Sequence, residues 1–490
     1  MVDDAARRIA DIASEAINAA TTDVPKGETG GNDGVRDRPV PRKFGFSVEK
    51  MNEEWAFVLM GSKAVMVRNV PTAPVEDRVR ILGLESFRAK YLNRFTEIIG
   101  NDGKIKANTW AQAWLGNHDR RDYDGIEFFP SATGEKGTPG YLNLWQGFSV
   151  QPIEKENGYS IFRDHLLTNA CHGNPVLYDW VFGWFAHMMQ YPRDRVGTSL
   201  VLRGKMGTGK TKIGEVFGSL LEAHYFMVDD PRYIVGQFNA HMASCLLLQA
   251  EEAVWAGDKS AEGRLKSLVT SETQMIEAKG VDSIRLHNYV RLIMTSNEDW
   301  VVPAGKDERR FCVLDIGDYV AQNHEYFREM EDQLDNGGRE ALLYDLLNFD
   351  LTKVNIRLIP KTAALLEQKL RSLDSVESWW FERLESGVTT RMGSEWRRQI
   401  PIETLFRDYI SQADMIGIKR KNEKTAFGMK MFKLVPGLAR ERGYPDMADH
   451  ETVGPGTTRV WCYAVPSLDD CRRAFAESVG QDVVWPETGA

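Results

Sequence analysis

The feature that most constrains the fold is the glycine-rich run GKMGTGKT at residues 204–211, which fits the pattern GxxxxGK[ST] at every position. An apolar run typical of a buried strand, TSLVL at 198–202, precedes it, and KIGEVFGSLLE at 212–222 has the pattern of a helix. Glycines at this spacing let successive backbone N–H groups turn inward around phosphate oxygens, next to the positive end of the following helix. The sequence therefore predicts a phosphate-binding loop between a strand and a helix of a parallel α/β sheet.

Two side chains of this loop have chemistry of their own. Lys210 is expected to reach the β- and γ-phosphates of a nucleotide, and the hydroxyl of Thr211 is expected to bind Mg²⁺. Such a loop does not by itself distinguish a kinase, a GTPase or a motor. The residues predicted to bind nucleotide are Gly204, Lys205, Met206, Gly207, Thr208, Gly209, Lys210 and Thr211.

Two adjacent acids stand at the end of the next apolar run. The sequence CLLLQA at 245–250 reads as a strand that delivers Glu251 and Glu252 at its carboxyl end. In such a pair one acid orients Mg²⁺, directly or through water, and the other polarises the attacking water. We assign the metal to Glu251 and favour Glu252 as the general base, while the sequence leaves open which acid is the base.

Asn297 follows the strand-like run VRLIMTS, and Arg309 and Arg310 precede another, FCVLDI. An amide at a strand end can hydrogen-bond the γ-phosphate or the lytic water, the sensor role in ring ATPases, although asparagine is also a common turn residue. An arginine that reaches the γ-phosphate of a neighbouring subunit stabilises negative charge that develops in the transition state. The alternative for either arginine is a surface ion pair with Asp307 or Glu308. A small-molecule kinase does not need paired acids, an amide at a strand end and a pair of arginines, so this combination argues against a kinase.

Four segments occur in the order GKMGTGKT, LLLQAEEAVWAGDKSAEGRLKSLVTSETQMIEAKG, RLIMTSN and DERRF. In this order and at this compact spacing they resemble the superfamily 3 helicase domain, which is AAA+-like, and within that group the phage and plasmid primase–helicase proteins. The resemblance covers residues 195–320 strongly, and it extends more loosely upstream to about residue 105 and downstream to WWFERL.

The resemblance implies a ring of identical subunits that hydrolyses ATP with Mg²⁺, and a hexamer is the expected form of this ring. Such rings move along single-stranded DNA during replication of a phage or other mobile element. A non-unwinding ring ATPase, such as an origin-melting initiator, a packaging motor or a defence protein, would share the same residues and is the alternative. The resemblance assigns Lys210 and Thr211 to the nucleotide, Glu251 and Glu252 to the Walker B position, Asn297 to sensor 1, and Arg309 or Arg310 to the arginine finger.

A predicted hairpin lies between the acids and Asn297. The run QMIEAKGVDSIRLHN at 274–288 reads as strand, turn and strand, with Lys279 at the tip. Aimed into the channel of a ring, one such lysine per subunit would supply sequence-independent contacts with the DNA backbone, as the DNA-binding loop of the family does. Lys266 and His287 are secondary candidates. The alternative is an exposed hairpin with an ordinary solvated lysine.

The rest of the chain predicts several further units. A β-hairpin is predicted by the two runs WAFVLMG and KAVMVRNV. Residues 84–115 look helical, with a glycine-rich break near 100–103. Residues 178–191 read as a buried helix that is too short and too polar to span a bilayer. The predicted units are a flexible tail with a short helix at 1–44, a small α+β accessory domain at 45–155, a helical collar at 156–195, the ATPase domain at 196–325, a helical segment at 326–395 and a winged-helix-like DNA-binding module at 396–490.

A basic region at 419–442 suggests the function of the last unit. Eight Lys and Arg residues stand there against Glu423 and Glu441, with Phe427 and Phe432 between them. This mixture predicts contact with duplex DNA, and the resemblance implies the same because many relatives carry a module of this kind at the C-terminus. The alternative is a solvated helix face.

Composition limits the partners and the compartment. A formal net charge of −9 argues against a generally basic, DNA-coating protein, so DNA would be bound by local positive patches or inside a channel. Five scattered cysteines without a CxxC pair exclude an obvious zinc site and indicate a reducing compartment, so we expect the cytoplasm of a bacterial host cell and no membrane partner. The motif Asp122-Tyr123-Asp124 lacks a convincing metal-binding partner, so any primase activity is expected on a separate chain or in other replisome proteins.

Overall fold

The computed structural model describes residues 45–70, 72–73, 77–99, 105–235, 239–252, 259–277, 283–454 and 458–486. Within these ranges the chain forms a mixed α/β fold with two large hydrophobic cores and a smaller one. No helix in the described ranges combines the length and the apolar character needed to cross a membrane.

The N-terminal region is built on a sheet of order β3-β2-β1-β6, in which β1 and β2 form the predicted hairpin. Its helices close the smaller core around Trp55, Phe87 and Trp114, where the indole N–H of Trp55 donates to the hydroxyl of Tyr91 at 2.8 Å. The described elements are α1 (Val48–Glu54), β1 (Ala56–Met60), β2 (Lys63–Asn69), β3 (Val79–Gly83), α2 (Leu84–Lys90), β4 (Phe95–Ile99), β5 (Ile105–Thr109), α3 (Trp110–Leu115), β6 (Asp122–Tyr123), β7 (Gly125–Glu127) and β8 (Tyr141–Asn143).

The prediction that residues 84–115 are helical is wrong for the middle of that stretch. Only its two ends, α2 and α3, are helical, whereas β4 and β5 pair antiparallel with Phe95 opposite Thr109. Both strands are rich in β-branched residues, which favour an extended backbone. The glycine-rich break therefore separates two strands and not two helical turns.

A helical segment follows, with α4 (Ser160–Asp164), a π-helix (His165–Ala170) and α5 (Pro175–Gln190). α5 begins where the side chain of Asn174 accepts two backbone N–H groups, and Pro175 occupies a position where no N–H is needed. The helix is buried along most of its length, as predicted, and Phe185 stacks on Phe217 of the helix after the glycine-rich loop. This segment therefore packs against the helix that follows the loop.

The central sheet has five parallel strands in the order β10-β11-β14-β9-β15. Because the strands are parallel, their carboxyl ends share one edge, where Glu251 lies opposite Thr295 and Ser296 lies opposite Arg203. The prediction of a parallel sheet is confirmed. The elements are β9 (Ser199–Arg203), α6 (Lys210–Ser219), β10 (Tyr225–Val228), α7 (Pro231–Val235), β11 (Leu247–Glu251), α8 (Lys259–Thr270), β12 (Thr273–Ile276), β13 (Ile284–His287), β14 (Arg291–Ser296) and β15 (Phe311–Asp315).

Three helices follow the sheet along the chain, namely α9 (His324–Gln333), α10 (Arg339–Asn348) and α11 (Ala363–Arg371), with a π-helical turn (Leu334–Gly338) between the first two. α9 packs against α4, α10 against α5, and α11 against β15 of the sheet. The last of these helices holds the loop that follows β14. The backbone oxygen of Asp299 accepts from the guanidinium of Arg203 and from the amide of Gln368, both at 2.6 Å. Arg203 also forms ion pairs with Asp315 and with Glu367 of α11. The end of β9 is therefore fixed to α11.

The C-terminal region forms the second large core around a three-stranded antiparallel sheet of order β16-β18-β17. The first core ends at Leu365 and the second begins at Val376, so the helices predicted at 326–395 contribute to both. The elements are α12 (Ser375–Ser386), β16 (Gln399–Pro401), α13 (Ile402–Met415), α14 (Lys424–Leu434), β17 (Ala439–Gly443), α15 (His450–Val453), β18 (Val460–Ala464) and α16 (Leu468–Val479).

Candidate nucleotide-binding site

The glycine-rich loop at 204–211 joins the carboxyl end of β9 to the amino end of α6, as predicted. Gly209 caps α6 with a φ of 86°, and a Cβ at this position would lie 2.7 Å from the ring of His165 and 2.8 Å from that of Phe327. Only glycine combines this backbone conformation with so close an approach. The hydroxyl of Thr208 is turned into the loop, where it donates to the backbone oxygen of Lys205 at 2.9 Å. The rings of His165 and Phe327 therefore pack against the loop, and an internal hydrogen bond stabilises its conformation.

The ammonium group of Lys210 is folded over the inside of this loop. Its Nζ donates to the backbone oxygens of Gly204 at 2.8 Å and Lys205 at 2.7 Å, and to Oδ1 of Asn297 at 2.8 Å. The residue is 7% exposed, and burial lowers the pKa of its ammonium group, an effect that the negative charges of Glu252 and Glu251 at the end of β11 partly offset. No carboxylate of the described chain lies within ion-pair distance of Nζ. A buried cation held by neutral oxygens is well suited to bind an anion.

Glu252 joins this cluster through Asn297. The carboxylate of Glu252 accepts the backbone N–H of Asn297 at 2.8 Å and the hydroxyl of Ser296 at 3.2 Å. Its own backbone has a φ of 48°, which is uncommon for a residue other than glycine and is often found at functional sites. The structure thus brings Lys210, Asn297 and Glu252 together in one hydrogen-bonded chain.

Glu251 and Thr211, the predicted Mg²⁺ ligands, are joined by a third side chain. The amide of Gln249 donates to the carboxylate of Glu251 and to the backbone oxygen of Thr211, both at 3.3 Å. Mg²⁺ takes few protein oxygens and relies on water and substrate phosphates for the others, so the Thr211 hydroxyl and the Glu251 carboxylate are suitable types of ligand for this cation. In the described part of the chain no group of three or more His, Cys, Asp and Glu residues could hold a metal ion alone. A cation here would depend on the phosphates of the substrate.

Three polar residues that shape this site were not found from the sequence. The π-helix places His165 beneath Gly209 and directs the amide of Asn169 at the backbone oxygen of Thr208, 3.1 Å away. Burial lowers the pKa of His165 to about 4, so its ring is neutral near pH 7. Gln249 is the third. The π-helical segment reads as ordinary amphipathic helix, and nothing in a single sequence signals that it contacts a loop about 40 residues away.

Arg309 and Arg310 lie at the opposite edge of the sheet from the loop. They precede β15, which runs parallel to β9, so they flank the amino end of β9, and the backbone oxygen of Arg310 accepts from Ser199 at 2.7 Å. A five-residue strand spans about 16 Å, which separates the pair from the loop of the same chain. Arg309 is exposed, and Arg310 lies 3.8 Å from the carboxylate of Glu308. Within one chain, therefore, the two arginines do not approach the hydrogen-bonded cluster of Lys210, Asn297 and Glu252.

Two of the three residues predicted to contact DNA, Lys266 and His287, lie beside and on the β12–β13 hairpin. The two strands pair antiparallel, as predicted, and Lys279 lies outside the described residues. His287 pairs opposite Thr273 at the end of the hairpin away from its turn. Lys266 lies on α8, whose last turn is tied to the base of the hairpin by the side chain of Asn288. Lys266 and His287 are therefore near the base of the hairpin.

The C-terminal basic region lines a groove of about 1000 Å³. Arg440 and Arg442 extend from one face of β17, and the guanidinium of Arg442 lies 5.2 Å from the ring centroid of Trp461 on β18. The Trp461 side chain is 56% exposed, and Lys424 of α14 completes the groove together with Glu403, its ion-pair partner. Exposed aromatic rings among arginines are typical of surfaces that bind nucleic acid.

Residues 202–310, a stretch that includes the whole glycine-rich loop, both acids and Asn297, match the model of a family of unknown function, DUF5906. Over 260 residues the chain is 23% identical to the DNA primase-polymerase of Nitratiruptor phage NrS-1, and the alignment covers 51% of this chain and 36% of that protein. The chain thus spans little more than a third of the length of this curated relative.

Two apo structures of the C-terminal region of NrS-1 have a similar fold. One superposes with a TM-score of 0.58 at 18% sequence identity, covering 86% of this chain and 97% of that one. The other superposes with the same TM-score at 17% identity, covering 86% and 98%. The likeness therefore extends over nearly the whole of that region and establishes a shared fold.

Proposed function

We propose that this chain hydrolyses ATP at the carboxyl edge of the central sheet. The observation that carries the proposal is the position of Lys210, a buried ammonium group enclosed by loop carbonyls and Asn297 without an anionic partner in the described chain. Phosphate oxygens would replace these neutral acceptors with charged ones, and charge-assisted hydrogen bonds are about twice as strong as neutral ones. The site is thus arranged to gain from binding a triphosphate.

Glu252 is the residue we assign to the attacking water. Its exposed carboxylate is fixed by Asn297 and Ser296 and retains lone pairs for a water proton. In hydrolysis the water oxygen bonds to the γ-phosphorus, the bond from that phosphorus to the β–γ bridging oxygen breaks, and ADP leaves with the electron pair. Glu252 takes the proton of the water.

Thr211 and Glu251 are the residues we assign to Mg²⁺. When bound, this cation neutralises charge on the β- and γ-phosphates. The amide of Gln249 holds the carboxylate of Glu251 beside the end of the loop, so the side chain is oriented before the substrate arrives.

The arginine pair leads us to propose a ring of identical copies. Arg309 and Arg310 lie at the amino edge of the sheet, so they can act only on a nucleotide held by another copy. A closed ring, in which the amino edge of each copy faces the loop of the next, completes every site. Superfamily 3 helicases, which are AAA+-like and which this sequence resembles, use such a ring, and we propose a homo-hexamer.

We assign single-stranded DNA to the channel of this ring and duplex DNA to the C-terminal groove. In the sequence, Lys279 lies between β12 and β13, and we propose it as the main DNA contact. Lys266 and His287, at the base of the hairpin, are the secondary contacts. The C-terminal elements follow in the order helix, strand, two helices, strand, short helix, strand and helix. Their arrangement around a three-stranded antiparallel sheet supports a winged-helix-like module. Arg440 and Arg442 would contact phosphates there.

We further propose that the activity serves DNA replication of a phage or other mobile element in the cytoplasm of its bacterial host. The similarity to a phage DNA primase-polymerase supports this role. Primase activity, in this proposal, comes from a separate chain or from other replisome proteins.

ATP hydrolysis and strand displacement on forked DNA test the proposal. The native chain should hydrolyse ATP with Mg²⁺, faster with single-stranded DNA, and Lys210→Ala should abolish hydrolysis. Lys50→Ala, a change of an exposed lysine on α1, is the matched control and should have no effect. Hydrolysis without strand displacement would identify the non-unwinding ring ATPase, and absence of hydrolysis by the native chain would overturn the proposal.

A further inference from the structure

A cavity of about 470 Å³ opens beside the glycine-rich loop. Its walls are the loop itself, the first turns of α6 with Lys212 and Glu215, and a segment that contributes Gln322, His324 and Phe327. This volume lies within the range of small-molecule sites, and the cavity continues from the place where the phosphates would bind. It is therefore located where the remainder of a bound nucleotide would extend.

The segment at 318–324 is attached directly to the loop. The backbone N–H of Gln322 donates to the backbone oxygen of Gly207 at 3.0 Å, and Lys205 forms an ion pair with Asp318 at 2.8 Å. Gln322 has a φ of 58°, a conformation that costs free energy in a residue with a side chain and persists where the surroundings fix it. These contacts therefore fix the position of this wall of the cavity relative to the loop.

The side chains of this wall have the chemistry of a base-binding site. His324 and Phe327 are three residues apart on α9, so both rings lie on the same face of the helix. One edge of the Phe327 ring packs against Gly209, and the residue is half-buried, while His324 is exposed. The amide of Gln322 and the carboxylate of Glu215 add hydrogen-bonding groups at the rim. Planar rings suit stacking with a base, and an amide suits its polar edge.

We propose that this cavity binds the base and ribose of a purine nucleoside triphosphate, with His324 and Phe327 against the base and Gln322 at its edge. The proposal rests on the proposed function, because the phosphates in the loop direct the base towards this wall. Lys210 then supplies affinity for any triphosphate, whereas the wall discriminates between bases. Gly207 and Gly209 keep the loop close enough to the wall for one ligand to contact both.

Calorimetric titration with ATP, CTP and inorganic tripolyphosphate, each with Mg²⁺, tests this division. His324→Ala should weaken ATP binding about 5- to 100-fold, the range expected for loss of base–aromatic stacking, and should leave tripolyphosphate binding unchanged. Phe327→Leu, which retains apolar packing against Gly209, should act in the same direction. Arg328→Ala, a change of an exposed residue on α9, is the control and should have no effect.

The outcomes separate the two proposals. Lys210→Ala should abolish binding of both ATP and tripolyphosphate, and if it abolishes neither, the proposed function fails. If the native chain binds ATP through Lys210 but His324→Ala and Phe327→Leu leave ATP affinity unchanged, the base site is overturned and the proposed function stands. Equal affinity of the native chain for CTP and ATP would also overturn the assignment to a purine. Thermal unfolding of each variant shows whether it is folded, and His324→Ala, which alters an exposed side chain, decides the matter if Phe327→Leu does not fold.

Discussion

Glu252 and Asn297 are joined by a 2.8 Å hydrogen bond from the backbone N–H of Asn297 to the carboxylate of Glu252. Glu252 follows β11 and Asn297 follows the neighbouring β14, so the bond ties the ends of two adjacent strands. The side chain of Asn297 meanwhile accepts from Lys210 at 2.8 Å. The acid that we assign to water is therefore fixed relative to the lysine that we assign to phosphate.

Replacing Glu252 should separate binding from hydrolysis. Glu252→Gln retains an oxygen for the Asn297 N–H but removes the basic carboxylate, so kcat should fall about 10²- to 10⁴-fold while the Kd for ATP changes little. Glu251→Gln is the matched variant and should mainly weaken the dependence of ATP binding on Mg²⁺. Steady-state hydrolysis and calorimetric binding measure the two effects. A larger loss of kcat with Glu251→Gln would reverse the assignment of the two acids.

A negative charge at position 297 should compete with the substrate for Lys210. In Asn297→Asp the carboxylate would lie next to Nζ, pair with it and repel phosphate, so ATP affinity should fall by about 10-fold or more. Asn297→Ala removes only a neutral acceptor and should lower kcat more than affinity. Calorimetric titration distinguishes the two variants, and equal affinities would argue against contact between Lys210 and phosphate.

Mixed assemblies should reveal whether the arginines act on a neighbouring copy. Lys210→Ala alone and the double variant Arg309→Ala/Arg310→Ala alone should both be inactive. Mixing them in equal amounts pairs intact loops with intact arginines at about a quarter of the interfaces, so hydrolysis should reappear. Continued inactivity of a mixture whose co-assembly is verified by native mass spectrometry would exclude the trans role. Single Arg309→Ala and Arg310→Ala variants then identify the residue responsible.

The C-terminal groove should contribute salt-dependent DNA binding. Replacing Arg440 and Arg442 with Ala should weaken duplex binding and reduce the slope of log Kd against log salt concentration by about 0.9 for each phosphate that the protein no longer neutralises. Arg473→Ala on α16 alters an exposed arginine outside the groove and serves as the control. Fluorescence anisotropy at several salt concentrations measures both quantities. An unchanged slope would assign the groove to some other partner.

Stability should decrease in mild acid because of buried histidines. Burial lowers the pKa of His165, His187 and His224 to about 4 each, whereas an unfolded histidine titrates near 6.5. Between these values the unfolded chain binds more protons, so the free energy of unfolding falls as pH falls, by up to roughly 1.4 kcal/mol per pH unit for each histidine. This contribution is fully present above pH 6.5.

Denaturant titrations at pH 7.5 and 5.5 check this sign. His224→Gln should reduce the dependence of stability on pH. His118→Gln, which changes a side chain that is 90% exposed, is the control and should leave that dependence unchanged. The same pH dependence in His224→Gln and in the native chain would contradict the prediction.

Local patterns in the sequence predicted the parts of the site that lie along one stretch of chain. The strand before the loop, the helix after it, the strand that ends at Glu251 and the strand that precedes Asn297 are all marked by apolar runs with polar ends. The order of strands in the sheet then brings these ends together. The assignment of Glu252, Asn297 and the arginines to catalysis stays a prediction, as do the domain boundaries.

The remainder depends on contacts between distant segments. His165 and Gln322 approach the loop only because the whole chain folds around it, and a left-handed glutamine has no signature in a single sequence. The β4–β5 hairpin was missed for a different reason, since apolar and polar residues over about 30 positions matched a helical spacing as well as an extended one. Pairing between β4 and β5 determines that this stretch is extended and not helical.

The separation of Arg309 from the loop across one sheet also has a kinetic consequence. In the proposed mechanism an isolated copy contains the loop and the arginines of a hydrolytic centre but cannot bring them together, because they lie at opposite edges of its sheet. If the ring forms as proposed, the specific activity should rise with enzyme concentration and vanish on dilution below the point at which neighbours dissociate, although every chain remains folded.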